Sequence, residues 1–338
     1  MHDANAGHVG QAALPALKAW YGQSGTPEVT VTPRYDAAAR TLTLACAQRT
    51  PASAAQPHKV PVLVPIAVGL VGADGRDLPL VVDGRAEASA TAVLCLTEEQ
   101  RSFVFSEVPA GAVPSVLRDF SAPVRLTVVG QSDADLAHLL AHDSDSFNRY
   151  EAGQVLARRT LLANYDAALV AGGSVAACPP LPATLIAAFR SLLGDAKLDG
   201  AIVARSITLP AVVELVDDIA NRAGGAGADP VLVHEVRARA VDELAAQLRP
   251  QLEATAARVE AEIAEGERAS GGFSPDFQSA ARRALRNRCL QLLSRCPADA
   301  GSGAPAPALR LRSAFAAATN MTDEIAMLAS ASTLAART

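Results

Sequence analysis

The spacing of hydrophobic residues changes near Ser132, and this change constrains the fold more than any other feature of the sequence. From residue 27 to about residue 130, apolar and polar residues alternate, which is typical of half-buried β-strands. Beyond Ser132, apolar residues recur every three to four positions, as they do along the buried face of an α-helix. The sequence therefore predicts a β domain followed by an α-helical domain.

The β part contains about seven short segments with strand-like alternation. Turn sequences such as Asp74-Gly75 and Asp83-Gly84 separate them, and no connection has room for a crossover helix. Neighbouring strands should therefore pair antiparallel, in an immunoglobulin-like β-sandwich over residues 25–131. Cys46 and Cys95 do not reproduce the Cys-Trp-Cys arrangement of antibody domains. The segments are residues 28–32, 40–48, 62–71, 78–82, 91–96, 101–108 and 123–130.

The part after Ser132 is predicted to be an α-helical domain over residues 132–338. Ser132 is a suitable N-cap, and acidic residues follow it in the first helical turn. Each helix has an apolar face that needs a neighbour, which favours stacked helix pairs of the solenoid type, although no strict repeat period marks them. The helical patterns cover residues 132–143, 147–163, 182–193, 210–222, 230–267 with a break or kink at Pro250, 274–293 and 322–329.

Composition excludes several functional classes. Half of the residues are hydrophobic and 19% are charged, so most of the chain should fold, and a mixed net charge of −5 argues against nucleic-acid binding. Five scattered cysteines without a C-x-x-C pair indicate reduced, mostly buried thiols. We find no signal peptide and no apolar run long enough for a membrane. A cytoplasmic location without membrane contact is predicted, and an organelle remains open if an upstream targeting segment is missing.

The five arginines between residues 282 and 295 form the most basic stretch of the chain. They lie on a helical pattern beside an apolar stripe, so we interpret them as a solvated or ion-paired helix face. They are Arg282, Arg283, Arg286, Arg288 and Arg295.

Two short motifs resemble parts of a zinc site. His138 and His142 are four residues apart on one helix face, as zinc ligands of metalloproteases are, but no Glu follows His138 to act as general base. The third-ligand position downstream is Leu161. His234 is followed by Glu235, but Ala238 occupies the second-ligand position. We therefore predict no catalytic, cofactor-binding or metal-binding residue, with capping or surface roles for the histidines.

Several longer stretches resemble bacterial and plastid-type aminopeptidase N, a family of zinc metallopeptidases. They occur in the same order as in that family and extend from about residue 17 to residue 328, nearly the whole chain. They are residues 20–27 (WYGQSGTP), 49–51 (RTP), 56–57 (QP), 75–80 (GRDLPL), 103–105 (FVF), 114–124 (PSVLRDFSAPV), 142–152 (HDSDSFNRYEA), 208–210 (TLP), 282–287 (RRALRN) and 320–323 (NMTD).

This resemblance implies an enzyme family that removes N-terminal amino acids from peptides. The family holds its zinc with an H-E-x-x-H helix and a downstream Glu, and binds the substrate amine with a G-x-M-E-N strand. None of these motifs is present in this sequence. Residues 1–24 are then expected to be a connector from a missing catalytic domain, and the helical domain is expected to be truncated after Thr338. The chain should be inactive alone.

Two functional hypotheses follow. In the first, the chain is a non-catalytic portion of a zinc-dependent aminopeptidase N, whose sandwich braces the catalytic domain and whose helices form part of a bowl over the active site. Its partner is then the catalytic zinc domain of the same protein, and peptide substrate is bound only by the intact enzyme. In the second, the chain is a free-standing protein-interaction module.

Two segments depart from the family pattern. Residues 173–180 and 297–308 are looser than in the family, and residues 297–308 are predicted to be a low-complexity linker.

Overall fold

A computed structural model describes residues 14–222, 227–296 and 307–335. Contacts divide the chain into an N-terminal unit, Met1–Ala152, and a C-terminal unit, Gly153–Thr338. The helices of the described residues are α1 (Leu14–Gly22), α2 (Asp133–His142), α3 (Ser146–Val170), α4 (Ala183–Gly194), α5 (Gly200–Ser206), α6 (Val212–Arg222), α7 (Pro230–Ser270), α8 (Phe277–Leu293), α9 (Pro307–Ala316) and α10 (Met321–Ala335). Within these ranges, none of the helices has the length and hydropathy needed to cross a membrane.

The N-terminal unit contains the predicted sandwich. One sheet has the strand order β5-β4-β7-β2-β1-β9, and the other has the order β6-β3-β8. The strands are β1 (Glu28–Asp36), β2 (Thr41–Arg49), β3 (Val64–Val71), β4 (Val81–Val82), β5 (Arg85–Ala86), β6 (Ala92–Leu96), β7 (Gln100–Ser106), β8 (Val113–Val116) and β9 (Arg125–Val128).

The core of the sandwich is formed by the apolar positions of the alternating pattern. In the antiparallel pair β1 and β2, Val31 lies opposite Cys46, and both side chains are buried. Leu44, Ile66 and Phe105 are fully buried in the same cluster. Burying a side chain of this size stabilises the fold by about 1.5–3 kcal/mol. The apolar positions of the predicted strands therefore form the core of the sandwich.

The pairing departs from the predicted all-antiparallel arrangement at one edge. β9 pairs with β1 in parallel, with Glu28 opposite Arg125. β8 and β5 were not predicted, because β8 includes Pro114 and β5 has only two residues, which leaves no alternation to detect. The sandwich itself is confirmed.

The described part of the predicted connector is a helix that packs on the sandwich. Trp20 of α1 contacts the sandwich core, and its indole Nε1–H donates a 2.7 Å hydrogen bond to Leu63 O. The main-chain N–H of Leu63 donates back to Ala16 O at 3.0 Å. Residues 14–22 are therefore part of the N-terminal unit's packing.

The C-terminal unit is built around α7 and α8, which pack along each other, while α4 and α6 contact α7 and α5 contacts α8. The sequence predicted a break or a kink at Pro250. The break is wrong, because α7 is helical on both sides of this residue, and the kink stays a prediction. Proline costs a helix interior about 3 kcal/mol. Pro250 is exposed, whereas Leu248 and Leu252 on either side are completely buried, and their burial offsets this cost.

Two helices of this unit were not predicted. α5 begins at Gly200, a residue that normally disfavours helix, but a Cβ there would lie 2.7 Å from Ala281 O. Glycine is therefore needed for the close approach of α5 to α8. α9 begins at Pro307, inside the predicted linker, and residues 297–306 of that linker lie outside the described ranges.

The start of α2 agrees with the sequence in atomic detail. Ser132 Oγ accepts a hydrogen bond from Asp135 N at 3.1 Å, and Asp135 Oδ2 accepts one from Ser132 N at 2.9 Å, which is a complete capping box.

Replacing Ser132 with alanine is expected to lower the free energy of unfolding by about 1 kcal/mol, because the main-chain N–H of Asp135 loses its acceptor, Ser132 Oγ. Urea denaturation measures this change. Ser174 is the matched control, because it precedes a single 3₁₀ turn, Val175–Ala177, without any side-chain cap bond. Ser174→Ala should change the free energy by less than about 0.5 kcal/mol; equal losses in the two variants would contradict the capping assignment.

Candidate functional site

The two histidines of the first zinc-like motif lie against a turn of the sandwich. His138 Nε2 is 2.8 Å from Gly72 O, and because a carbonyl can only accept, this nitrogen carries the proton. The ring centroids of His138 and His142 are 4.9 Å apart. Burial, followed by the charges of His138 and Arg149, lowers the pKa of His142. Both residues lie against this turn, since a Cβ on Gly75 would lie 2.6 Å from His142 Nδ1. His142 is exposed, as a surface histidine is, whereas His138 is half-buried and packs α2 onto the turn.

The histidine pair by itself supplies two of the ligands that a zinc site needs. Nε2 of His138 donates to Gly72 O, so Nδ1 is the ring nitrogen that keeps a lone pair. Over the residues that the structure describes, no group of three His, Cys, Asp or Glu side chains is placed to hold a metal. His234 and Glu235 of the second motif are exposed on the first turns of α7.

The basic stretch is more buried than predicted. Three of its arginines form ion pairs: Arg282 with Glu262, Arg286 with Asp323 and Arg295 with Asp242. Arg283 is buried, and its guanidinium lies over the ring of Phe273. Arg288 forms no ion pair with any described residue, and its Nη2 donates to Ile207 O at 3.1 Å. The solvated part of the interpretation is therefore wrong for Arg283 and Arg288.

A buried arginine is the centre of a polar cluster in the N-terminal unit. Arg118 Nη2 is 2.8 Å from Asp77 Oδ1 and 3.0 Å from Asp143 Oδ1. Arg118 Nε donates to Ser115 Oγ at 2.9 Å, and Asn148 Nδ2 donates to the same oxygen at 2.8 Å. We call these five residues the Arg118 network. They belong to the β3–β4 connection, β8, the turn after it, the end of α2 and the start of α3, and the network joins these segments.

The main chain around Arg118 is strained. Leu117, Asp119 and Phe120 all have positive φ angles, of 66°, 55° and 48°, which L-residues adopt at a cost of about 1–2 kcal/mol each. A hydrogen bond from Asp119 N to Asp145 Oδ2 at 2.9 Å holds this turn. Gly69 is required beneath it, since a Cβ there would lie 2.0 Å from Arg118 Cζ. The ion pairs of Arg118 offset the strain of the turn that presents it.

The pKa values of the two carboxyl groups of the network, Asp77 and Asp143, shift in opposite directions. Burial acts to raise the pKa of Asp77, but hydrogen bonds from Arg118 and Ser144 outweigh it and hold the pKa below its usual range. Burial dominates at Asp143 and raises its pKa, although the charge of Arg118 opposes the shift. A structural ion-pair cluster is the best description, because both carboxyl groups lie against the guanidinium group of Arg118.

The C-terminal unit has a second network, between α8 and α10. Asp323 is 2% exposed and accepts hydrogen bonds from Asn287 Nδ2 at 2.7 Å and from Asn320 Nδ2 at 2.8 Å. Arg286 Nη2 lies 2.7 Å from Asp323 Oδ2 and forms an ion pair with it. Burial opposes the shift, but these partners hold the pKa of Asp323 below its usual range. The start of α10 is thereby fixed to α8.

Sequence reasoning located the segments of both networks but not their chemistry. The stretches 75–80, 114–124, 142–152, 282–287 and 320–323 had been identified only as matches to a family. Pairing them required the fold, because Asp77 and Arg118 are 41 residues apart in the chain.

Two family models match the chain. One is described as a domain of unknown function, DUF3458, with an Ig-like fold, and it matches residues 25–129. The other is described as DUF3458_C, with ARM repeats, and it matches residues 133–338. These descriptions agree with the sandwich and with the helical unit.

Aminopeptidase N proteins from three bacteria are similar to this chain. That of Escherichia coli (strain K12) is 35% identical over 321 residues, which are 94% of this chain and 33% of that protein. That of Caulobacter vibrioides is 35% identical over 312 residues, 92% of this chain and 32% of that protein. That of Haemophilus influenzae is 28% identical over 281 residues, 83% of this chain and 30% of that protein. The chain thus spans about a third of the length of the curated relatives it matches.

A solved structure has the same fold. The crystal structure of Legionella pneumophila aminopeptidase A in complex with aspartic acid superposes with a TM-score of 0.67 and 23% identity. The match covers 93% of this chain and 32% of that one. At this identity the likeness concerns the fold alone.

Proposed function

The chain belongs to the family of DUF3458 Ig-like and DUF3458_C ARM-repeat domains, its similarity is to the C-terminal region of aminopeptidase N, and on this basis we propose that it is the non-catalytic portion of a zinc-dependent aminopeptidase. In this proposal the sandwich braces the catalytic zinc domain, and the helices form part of a bowl that restricts access to peptides. Hydrolysis of N-terminal residues is then a property of the intact enzyme.

One observation carries the proposal: the similarity to aminopeptidase N covers 94% of this chain but 33% of the relative. The zinc-binding motifs of the family are absent from the sequence, and the histidine pair that resembles them is used in packing. The residues of this chain therefore contribute scaffold, and no chemical step is assigned to them.

An alternative is a free-standing protein-interaction module. Ig-like sandwiches and helical repeats both serve as binding scaffolds, and repeat units offer extended surfaces to partners. The sequence of the genomic region upstream of residue 1 discriminates between the two hypotheses. An in-frame segment that encodes H-E-x-x-H and G-x-M-E-N supports the aminopeptidase, and a promoter directly before this frame supports the module.

A chimera tests the proposed role directly. The matched third of Escherichia coli aminopeptidase N is replaced by this chain, and hydrolysis of alanyl and leucyl chromogenic substrates is measured. We expect kcat/KM within about tenfold of the parent, because the scaffold positions the catalytic domain without taking part in chemistry. A second chimera with a flexible Gly/Ser linker of equal length should be inactive.

The chain alone provides the complementary measurement. It is expected to bind no stoichiometric zinc and to release no product from either substrate. One tightly held zinc per chain, lost in a His138→Ala and His142→Ala double variant, would contradict the proposal. So would a folded but inactive chimera.

A further inference from the structure

A cavity in the C-terminal unit lies among α7, α8 and α10. Its volume is about 240 Å³, and its polar lining includes Arg237, Arg288, Gln291, Arg295, Ser330 and Thr333. We call it the arginine pocket. It is distinct from the Arg118 network, which belongs to the N-terminal unit.

Two of the three guanidinium groups of the arginine pocket form no ion pair within the described residues. Arg295 Nε is 2.7 Å from Asp242 Oδ1. Arg237 instead donates to the main-chain oxygens of Pro210 and Leu209, at 2.5 and 3.1 Å. Arg288 donates to Ile207 O and to the side-chain oxygen of Gln291. Carbonyl dipoles orient these two cations but do not neutralise them.

Burial and the positive charges of neighbouring arginines in this pocket lower the pKa of Arg288 and of Arg237. Burial, followed by the charge of Arg237, lowers the pKa of Arg288 to about 10. Burial, followed by the charge of Arg295, lowers the pKa of Arg237, and Glu214 opposes that shift. Nε of Arg288 is buried and has no hydrogen-bond partner within the described residues. A buried, unsatisfied donor on a cation is costly, and this cost adds to that of the uncompensated charges.

A cleft at one end of the sandwich also contains cationic side chains, but these have partners within the cleft. Its volume is about 490 Å³, and Arg49 and Lys59 line it. Arg49 is paired with Glu28 at 2.6 Å. Lys59 Nζ lies 2.8 Å from both Ser24 O and Gln56 Oε1, so its donors are used within the cleft. The charge imbalance is therefore a property of the arginine pocket.

We propose that the arginine pocket binds a small oxyanion, either a phosphate group or a carboxylate, through Arg288 and Arg237. A guanidinium group presents donors in a planar fork that matches both kinds of oxyanion. The cavity equals the volume of about eight water molecules, which suits a small molecule and excludes a folded partner or a long peptide. Gln291, Ser330 and Thr333 supply neutral hydrogen-bonding groups at the wall. This function goes beyond the scaffold role.

Calorimetric titration of the full chain with inorganic phosphate, and separately with succinate, tests the proposal at constant ionic strength. We expect a dissociation constant of about 1 mM or tighter for at least one of them. Arg288→Met should weaken binding at least tenfold. Arg282→Met is the matched control: the same change on the same helix, at a surface ion pair with Glu262, should leave binding unchanged.

Thermal unfolding supplies a second readout. Phosphate or succinate should raise the Tm of the parent but not that of Arg288→Met. Without anion, the Tm of Arg288→Met should equal or exceed that of the parent, because the variant no longer places a second positive charge beside Arg237. Binding of phosphate alone identifies a phosphate site, binding of succinate alone a carboxylate site, and binding of both a general oxyanion site. Absence of binding at about 20 mM of either anion overturns the proposal. Equal losses in Arg288→Met and Arg282→Met overturn it as well.

Discussion

Replacing Arg118 with methionine is expected to lower the free energy of unfolding of the N-terminal unit by about 3–5 kcal/mol. Methionine fills a similar volume but leaves Asp77 and Asp143 without their cation, and the side chain of Asp143 is fully buried. The strained turn at Leu117 also loses the interactions that offset its cost. Urea denaturation, followed by far-ultraviolet circular dichroism, measures the loss.

The effect of Arg118→Met should depend on pH. Without Arg118, the pKa values of Asp77 and Asp143 both rise, because the charge that opposed burial is gone. A carboxyl whose folded pKa exceeds its unfolded value of about 3.9 stabilises the fold at low pH and loses that contribution as the pH rises. The difference between parent and variant should therefore shrink as the pH falls from about 7 to about 4.

Arg49→Met is the control for the loss of an arginine from the same unit. Arg49 pairs with Glu28 at the surface, where its side chain is 76% exposed. Such pairs contribute about 0–1 kcal/mol, so this variant should be nearly as stable as the parent. If Arg118→Met were equally mild, the Arg118 network would not hold the unit together.

The sequence predicted the parts of the fold that depend on local periodicity. Alternation located β1, β2, β6 and β7 because one face of each strand is buried, and that burial imposes a period of two. β3 was also located, although it is buried on both faces. β9 was located as a strand, but its parallel pairing with β1 depends on where the chain returns after β8. The short helix α5 was missed because tertiary contact with α8 overrides the poor helix propensity of Gly200.

Polar clusters were not predictable in the same way. Asp143 and Arg118 are 25 residues apart, and Asn287 and Asp323 are 36 apart. No periodic signal links residues at such separations, since their contact depends on the tertiary fold. The arginine pocket illustrates the same limit: the helical pattern around Arg288 correctly predicted an amphipathic helix, but not that a second charged residue, Arg237 of α7, would face it.

Replacing Asp323 with alanine is expected to release α10 from α8. Arg286, with 17% of its side chain exposed, would lose its ion pair, and Asn287, which is buried, would lose a hydrogen-bond acceptor. Breaking a buried pair of this kind costs about 3–5 kcal/mol. Because the contacts of α10 are with α8 and α9, we expect local opening of residues 321–335 with the sandwich unaffected. Hydrogen exchange read by mass spectrometry reports the two regions separately.

Acid should reproduce the effect of Asp323→Ala in the parent chain. The pKa of Asp323 is depressed in the fold, so its contribution is present above the unfolded value of about 3.9 and is lost as the pH falls through the folded pKa. Glu324→Ala is the matched control, because it removes a negative charge from the same helical turn without touching the network, and it should cost less than about 1 kcal/mol. If α10 exchanged equally fast in both variants, the helix dipole, and not the contact with Asn287 and Arg286, would be what holds it in place.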